Sequence, residues 1–529
     1  MKIKSTLNSL KQNELAKGIL LLPALFYTIA QAIAFYTDVP SVKVIFFALL
    51  ILLILSRPFW SCPRIRKDIW PLVVFAIVSF AFAGLSAIKA VFGSYTIGSF
   101  LYHVKLGTIG VDYYSLVPTY AFFSILWLFA LISAANYYGR GQYGKQAIYG
   151  LIIISFASNP VVLHAARYTA FQLGFLHINA APELSALYVR PEISLPPENR
   201  KNVIFIYLEG LERTYRDQQV FGKSYQPLMD MEKTALQFTN VRQVSNTGWS
   251  VAGMAASQCG VPLSTPSIFS DIDITRKDRF LPKVTCLGDI LANAGYAREY
   301  LVGANLEFGG IDSFYLTHRF DRLISKYDMA HIEPGDRNEW GLNDSGVFIM
   351  AQQRVVALEN GSTPYLLVIE TIGPHGLRAY LSKSCRGETQ DPNTTNILEA
   401  VHCTGSLVRD FVQYLQKTVD MDNTLIVVLS DHLTHPNNMT PVLKTMERRN
   451  TIMMFGAGLA PNIIDKPGAM FDVFPTILEA MGVKLPNSQA GIGVSLLSDQ
   501  PTLLEQFSIE SLNAALDFDG AFAQELWAE

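Results

Sequence analysis

Asn202-Val-Ile-Phe-Ile-Tyr-Leu208 is a short apolar run that closes on Glu209-Gly210. Such a run reads as a buried strand of a parallel sheet. Three later stretches repeat the form: Tyr365–Ile369 before Glu370, Thr424–Leu429 before Ser430-Asp431-His432, and Thr451–Phe455 before Gly456. Helical patterns lie between them, at Leu287–Ala294 and Thr404–Gln416. Strands alternating with helices predict an α/β domain with a mostly parallel central sheet. Ligands bind such sheets beyond the carboxyl ends of the strands, where Glu209, Asp431 and His432 stand.

An unpaired carboxylate directly after a buried strand is costly. Taken singly, Glu209 reads equally well as a helix cap or an ion-pair partner, and Asp431 as a cap with an incidental histidine beside it. Taken together, two carboxylates and an imidazole at strand ends point to a divalent cation with mixed oxygen and nitrogen ligands. Between those strands, Asn246-Thr247-Gly248-Trp249-Ser250-Val251-Ala252-Gly253-Met254 runs from a polar turn into small residues, the pattern of a helix start. Ser250 there is either an N-cap or, beside a cation, a hydroxyl activated as a nucleophile for phosphoryl transfer.

The first third of the chain differs in kind. Of 42 basic and 45 acidic side chains in 529 residues, residues 1–165 hold thirteen basic and four acidic. Only 16% of the whole is charged, against about a quarter in soluble globular proteins. This excludes an all-soluble enzyme, a disordered chain and a basic nucleic-acid binder. Gly18–Thr37, Ile69–Ile88, Tyr113–Gly139 and Gln146–Ala166 are uncharged and long enough to cross hydrocarbon. Val39–Ser56 adds a further span with Lys43 near one end, placed to snorkel. A cleaved signal peptide at Gly18–Thr37 is opposed by the further spans and by the lack of a small-residue cleavage site.

Lys2, Lys4, Lys11 and Lys17, then Arg57, Arg64, Arg66 and Lys67, then Arg140 and Lys145 mark three cytoplasmic segments by the positive-inside rule, with Lys89 and Lys105 as minor exceptions. Five spans with a cytoplasmic N-terminus put everything after about Arg167 outside. Cys62 then lies inside, and Cys259, Cys286, Cys385 and Cys403 lie in an oxidising compartment. Proximity favours Cys259–Cys286 and Cys385–Cys403 among the three pairings, and the absence of any C-x₂-C opposes a Cys₄ zinc site. The expected organisation is a five-helix anchor over 1–166, a proline-rich connection over 167–200, an outer domain over 201–500 and a tail over 501–529.

The strand ending in Glu209, Ser430-Asp431-His432 and Asp472-Val-Phe-Pro-Thr-Ile-Leu478 resemble the alkaline phosphatase/sulfatase superfamily. The anchored outer domain resembles that superfamily's lipoteichoic acid synthase and phosphoethanolamine transferase branch. Tyr207-Leu-Glu-Gly-Leu-Glu-Arg-Thr-Tyr215 and Ala252-Gly-Met-Ala-Ala-Ser-Gln-Cys-Gly-Val-Pro-Leu263 are similar to membrane-bound phosphoglycerol transferases that decorate periplasmic glucans. Gly303-Ala-Asn-Leu306 and Arg337-Asn-Glu-Trp-Gly341 add to that likeness. The resemblance implies a sulfatase-like outer domain with metal ligands Glu209, Asp431 and His432. It places the nucleophile, also a metal contact, at Ser250, where the family usually has threonine. It makes His375, in Gly373-Pro-His-Gly376, a substrate-binding histidine, with Arg337 and Trp340 near the site and Asn305 supplying polar contacts. No Cys-x-Pro-x-Arg or Ser-x-Pro-x-Arg surrounds Ser250, which opposes a formylglycine sulfatase.

The implied activity is transfer of phosphoglycerol from phosphatidylglycerol to a glycan through Ser250, at the periplasmic face of a bacterial inner membrane. Three oxygens and one nitrogen suit Mn²⁺ or Zn²⁺, and Mg²⁺ less well. The nearest rival is a phosphoethanolamine transferase acting on lipid A or another glycan. A receptor or assembly subunit with a degenerate phosphatase-like domain is the non-enzymatic one. A transporter reading lacks charged residues deep in the spans.

Overall fold

The computed structural model describes residues 21–37, 68–92, 102, 113–140, 143–172, 175, 182–193, 195, 200–266, 270–376, 378–386, 393–394 and 396–528. The chain forms two compact units, one from Met1–Gly93 and Tyr113–Leu176, the other from Ser94–Asp112 and His177–Glu529.

The first unit contains α1 (Leu22–Thr37), α2 (Trp70–Phe92), α3 (Tyr113–Arg140), α4 (Gly144–Ala157) and α5 (Pro160–Gln172). Among the described residues one helix is long and apolar enough to cross a membrane, with Tyr120–Gly139 as its window, or two if the bent pair α4–α5 is a single span. The stretch Val39–Ser56 lies outside the described residues. Gln146–Ala166, expected as one straight span, breaks by 59° between α4 and α5. The cause is local. Asn159 Oδ1 accepts the N–H groups of Val161 and Val162 as an N-cap, and Pro160 takes the first helical position, where its missing donor costs nothing. Asp68, just before α2, pairs with Lys145 of α4 at 2.6 Å, which brings those two segments to the same end of the helices.

The second unit is built on eight strands: β1 (Asn202–Leu208), β2 (Leu236–Phe238), β3 (Ala297–Val302), β4 (Arg322–Ile324), β5 (Tyr365–Glu370), β6 (Thr424–Ser430), β7 (Ile452–Gly456) and β8 (Asn462–Ile464). Their order is β8-β2-β7-β6-β1-β5-β3-β4. All neighbours run parallel except β7, which runs against both β6 and β2. Both faces of the sheet are covered, and this explains the unbroken apolar run of β1. Val203, Phe205 and Tyr207 enter one core, which also holds α6 (Ser250–Cys259) and α9 (Val473–Ala480). Ile204, Ile206 and Leu208 enter the other, with α7 (Asp344–Glu359) and α8 (Ile397–Thr418).

Two additions complete the first core. Tyr102 is fully buried in it, donating to the Gly309 carbonyl with its ring 5.6 Å from Trp249. The C-terminal residues form α10 (Ile509–Phe518) and α11 (Gly520–Trp527), which bury Leu512, Leu516, Phe522 and Trp527. The Trp527 indole N–H donates to the Ser264 carbonyl. Disulfides join Cys259 to Cys286, from the end of α6 to the residue before Leu287, and Cys385 to Cys403 on α8.

Burial raises the Asp517 carboxyl on α10 to about 6, although Ser245 hydrogen-bonds to it. The folded state therefore favours the protonated form. The associated stability is full below the ordinary value near 3.8 and is lost as pH rises through about 6. Asp517→Asn should melt about 2–4 °C above the parent chain at pH 8 and alongside it at pH 4, as scanning calorimetry would show.

Candidate active site

β1 and β6 lie side by side in a register that pairs Leu208 with Ser430, so Glu209 and Asp431 leave the sheet as neighbours. Both are buried, as is His432. The Gly210 N–H, at a positive φ that suits glycine, donates to Asp431 Oδ1 at 2.9 Å. The Glu209 N–H donates to Thr371 Oγ1 at 3.1 Å. These bonds aim the remaining atoms at one point. His432 Nε2 lies 3.4 Å from Glu209 Oε1 and 3.2 Å from Asp431 Oδ2.

Ser250 is the first residue of α6, and Trp249, in extended conformation, is its N-cap. The hydroxyl therefore does not cap the helix. It donates to Glu209 Oε2 at 3.2 Å. The helix reaches this position because Gly253 has no side chain: a Cβ there would stand 1.9 Å from the Asp431 carbonyl oxygen. The loop after β6 is held from the other side. Fully buried Glu212, of the Glu-Gly-Leu-Glu-Arg stretch, accepts the Thr434 N–H and pairs with Arg448, which also donates to the Thr434 carbonyl.

The protonation pattern shows what the cluster can hold. His432 Nδ1 sits 2.8 Å from the Leu433 carbonyl oxygen, which accepts only from an N–H. That leaves Nε2 facing two carboxylate oxygens. Glu209 Oε1, Asp431 Oδ2 and His432 Nε2 are all buried without a hydrogen-bond partner. Three such atoms need a proton or a cation among them. Without a cation, burial opposes protonation of His432, but Asp431 and then Glu209 raise it to about 10. Burial and the Glu209 charge push Asp431 up to about 7. Burial also raises the Glu209 carboxyl, yet His432, His375 and His435 bring it below the usual carboxylate range. Two oxygens and a nitrogen, with the Ser250 hydroxyl adjacent, fit a divalent cation.

His375 follows β5, with its ring 4.4 Å from Trp340 and 6.2 Å from His435. Burial holds it below the ordinary histidine value despite the attraction of Glu209. Trp340 also packs on Phe308 at 5.0 Å. Arg337 serves the backbone, since its guanidinium donates to the carbonyls of Met329 and Ile332. Asn305 Oδ1 accepts the Glu307 N–H, which makes it a turn former in the loop after β3.

Two side chains that sequence reasoning did not assign to the site also belong to it. Glu370, the last residue of β5, has a carboxylate oxygen within 4.8 Å of those of Glu209 and Asp431, and it accepts from the Tyr300 hydroxyl. Its signal was the one that marked Glu209, a carboxylate closing an apolar strand. His435 lies three residues beyond His432, with ring centroids 4.4 Å apart.

The second unit is a mostly parallel α/β domain with a hydroxyl-bearing helix start beside a buried carboxylate–imidazole cluster. The Sulfatase family model matches residues 201–483, and the chain belongs to that family. It is similar to phosphoglycerol transferase I of Xanthomonas axonopodis pv. citri, 30% identical over 72% of this chain and 53% of the relative. It is also similar to phosphoglycerol transferase I of Escherichia coli O6:K15:H31, 31% identical over 60% of this chain and 42% of the relative. The chain thus spans about half the length of the curated relatives it matches. Among solved structures, an alkaline phosphatase superfamily protein from Vibrio parahaemolyticus superimposes with a TM-score of 0.47 at 20% identity, covering 63% of this chain and 78% of that one.

Gly253→Ala should force α6 away from Asp431 and lower stability by about 1–3 kcal/mol. Chemical denaturation would measure the loss, and a structure of the variant would show Ser250 withdrawn from Glu209.

Proposed function

We propose that this protein is a membrane-anchored phosphoglycerol transferase. In this reading Ser250 takes the phosphoglycerol group from phosphatidylglycerol and passes it to a glycan hydroxyl outside the inner membrane of a bacterium. The observation that carries it is the Ser250 hydroxyl on Glu209, at the start of α6, beside three buried atoms that need a proton or a cation among them. The names of the curated relatives supply the group transferred. Glu209, Asp431, His432 and Ser250 would hold a divalent ion, Mn²⁺ or Zn²⁺ by donor type, whose charge lowers the pKa of the serine hydroxyl and offsets charge on the phosphoryl oxygens.

The chain's own groups account for the rest. Ser250 Oγ forms a bond to phosphorus as the bond to the diacylglycerol oxygen breaks, and the proton of the serine hydroxyl passes to that leaving oxygen. The glycan hydroxyl then forms a bond to phosphorus as the Ser250 Oγ–P bond breaks, and the proton of that hydroxyl passes by way of His375 to Ser250 Oγ. His375, held below the ordinary histidine value by burial, would accept the proton of the incoming hydroxyl in this reading. Backbone N–H groups at the start of α6 favour the anionic group. An anchor in the bilayer keeps this site beside a donor that cannot leave the membrane.

Phosphatidylethanolamine is the rival donor, since the same centre would serve either head group. Intact-mass analysis of the full chain after exposure to each lipid decides between them. A phosphoglycerol adduct on Ser250 supports the proposal, a phosphoethanolamine adduct replaces the donor, and no adduct from either lipid sinks the covalent reading. Ser250→Ala should form no adduct and lower transfer by about a thousandfold or more. Unchanged glycan modification in cells carrying it would favour a non-catalytic receptor or assembly subunit. The sign for His375 is that of a base: transfer should hold through neutral pH and fall on acidification, with a midpoint below about 6.5. His375→Gln should remove that limb of the pH–rate profile.

A further inference from the structure

We propose that His435 is a direct ligand of the cation held by Glu209, Asp431 and His432, and that this second imidazole makes the site select zinc over manganese or magnesium. The inference rests on the cation reading of the previous section and adds a ligand that the strand-end pattern does not contain. A carboxylate oxygen of Glu209 and one ring nitrogen each of His432 and His435 lie within 4.8 Å of one another. Ligands of one tetrahedral zinc-type ion, each about 2.0–2.2 Å from it, stand roughly 3.3–3.6 Å apart, and these three atoms lie close to that spacing.

The loop that carries His435 is held in place from several directions. The Thr434 N–H is bound by Glu212, and the Thr434 carbonyl by Arg448. The Asn437 side-chain amide donates to the His435 carbonyl and to Thr434 Oγ1, each at 3.0 Å. The half-buried His435 ring is thereby held against His432, with centroids 4.4 Å apart and planes inclined by 44°. A surface histidine on an unrestrained loop would have none of these constraints.

The chemical consequence concerns the metal. Glu209 and Asp431 supply oxygen and His432 one nitrogen, a set that leaves manganese and zinc close competitors. A second nitrogen tips the set toward a borderline ion, because imidazole suits zinc whereas carboxylate and water suit magnesium and manganese. The added ligand is neutral, so it changes selectivity without changing the net charge of the site.

The test uses the full chain in detergent, stripped of metal by a chelator and titrated with Zn²⁺ alone and Mn²⁺ alone. X-ray absorption at the zinc edge should count two imidazoles in the parent chain and one in His435→Ala. The dissociation constant for Zn²⁺ should rise about a hundredfold in His435→Ala and in His435→Gln, and that for Mn²⁺ less than about tenfold. Melting of the metal-free proteins should coincide, which separates ligation from folding. A single imidazole in the zinc-loaded parent chain, or unchanged zinc affinity in both variants, would overturn the inference and leave His435 facing the transferred group. No ion bound by the parent chain would overturn the cation reading along with it.

Discussion

Parallel pairing of β1 with β6 is the constraint on which the rest of the molecule depends. It sets Glu209 and Asp431 side by side at the end of a sheet covered on both faces, where water does not solvate them. Two adjacent buried carboxylates repel, and either one must take a proton or positive charge must be supplied. The surroundings read as answers to that demand. His432 turns its free nitrogen toward both oxygens, Gly210 offers an N–H to Asp431, and Ser250 donates to Glu209. Glu370 adds a third buried carboxylate to the same cluster, raised well above the ordinary glutamate value by burial first and then by the Asp431 charge. A divalent cation would neutralise the group without abolishing its polarity.

The geometry around this cluster is bought by glycine and by one distant ion pair. Gly253 lets α6 rest directly on the Asp431 backbone, so the position of the serine is coupled to that of Asp431. Glu212 and Arg448, far apart in sequence, clamp the loop after β6. A buried pair of this kind is poor evidence for net stability, but removing one partner leaves an uncompensated charge. Its contribution here is positional, since the loop it fixes carries His435.

Much of this was legible in the sequence, for identifiable reasons. A side chain that directly follows a buried strand has its place set by the sheet, so Glu209, Asp431 and His432 could be assigned to one region before any contact was known. Ser250 was legible as a residue at a helix start, though not which helical position it takes. His435 was hidden because its place depends on a loop closed by a partner in another part of the chain. Glu370 was visible as a strand-ending carboxylate, but its neighbours follow from the strand order, which local pattern does not encode. Arg337 and Asn305 were placed near the site by motif, whereas their hydrogen bonds go to backbone groups of their own loops. The bend in Gln146–Ala166 had a signal in Asn159-Pro160 that continuous hydropathy concealed.

Tyr102 has a consequence for how the chain is made. Its buried ring belongs to the core of the second unit, yet α3, α4 and α5 separate it in sequence from nearly all the rest of that unit. During synthesis it emerges long before Trp249 and Gly309, the residues it packs on and bonds to. This corner of the core therefore closes only after those later residues have been made. A chain begun at residue 177 would carry a cavity beside Trp249, the residue next to Ser250.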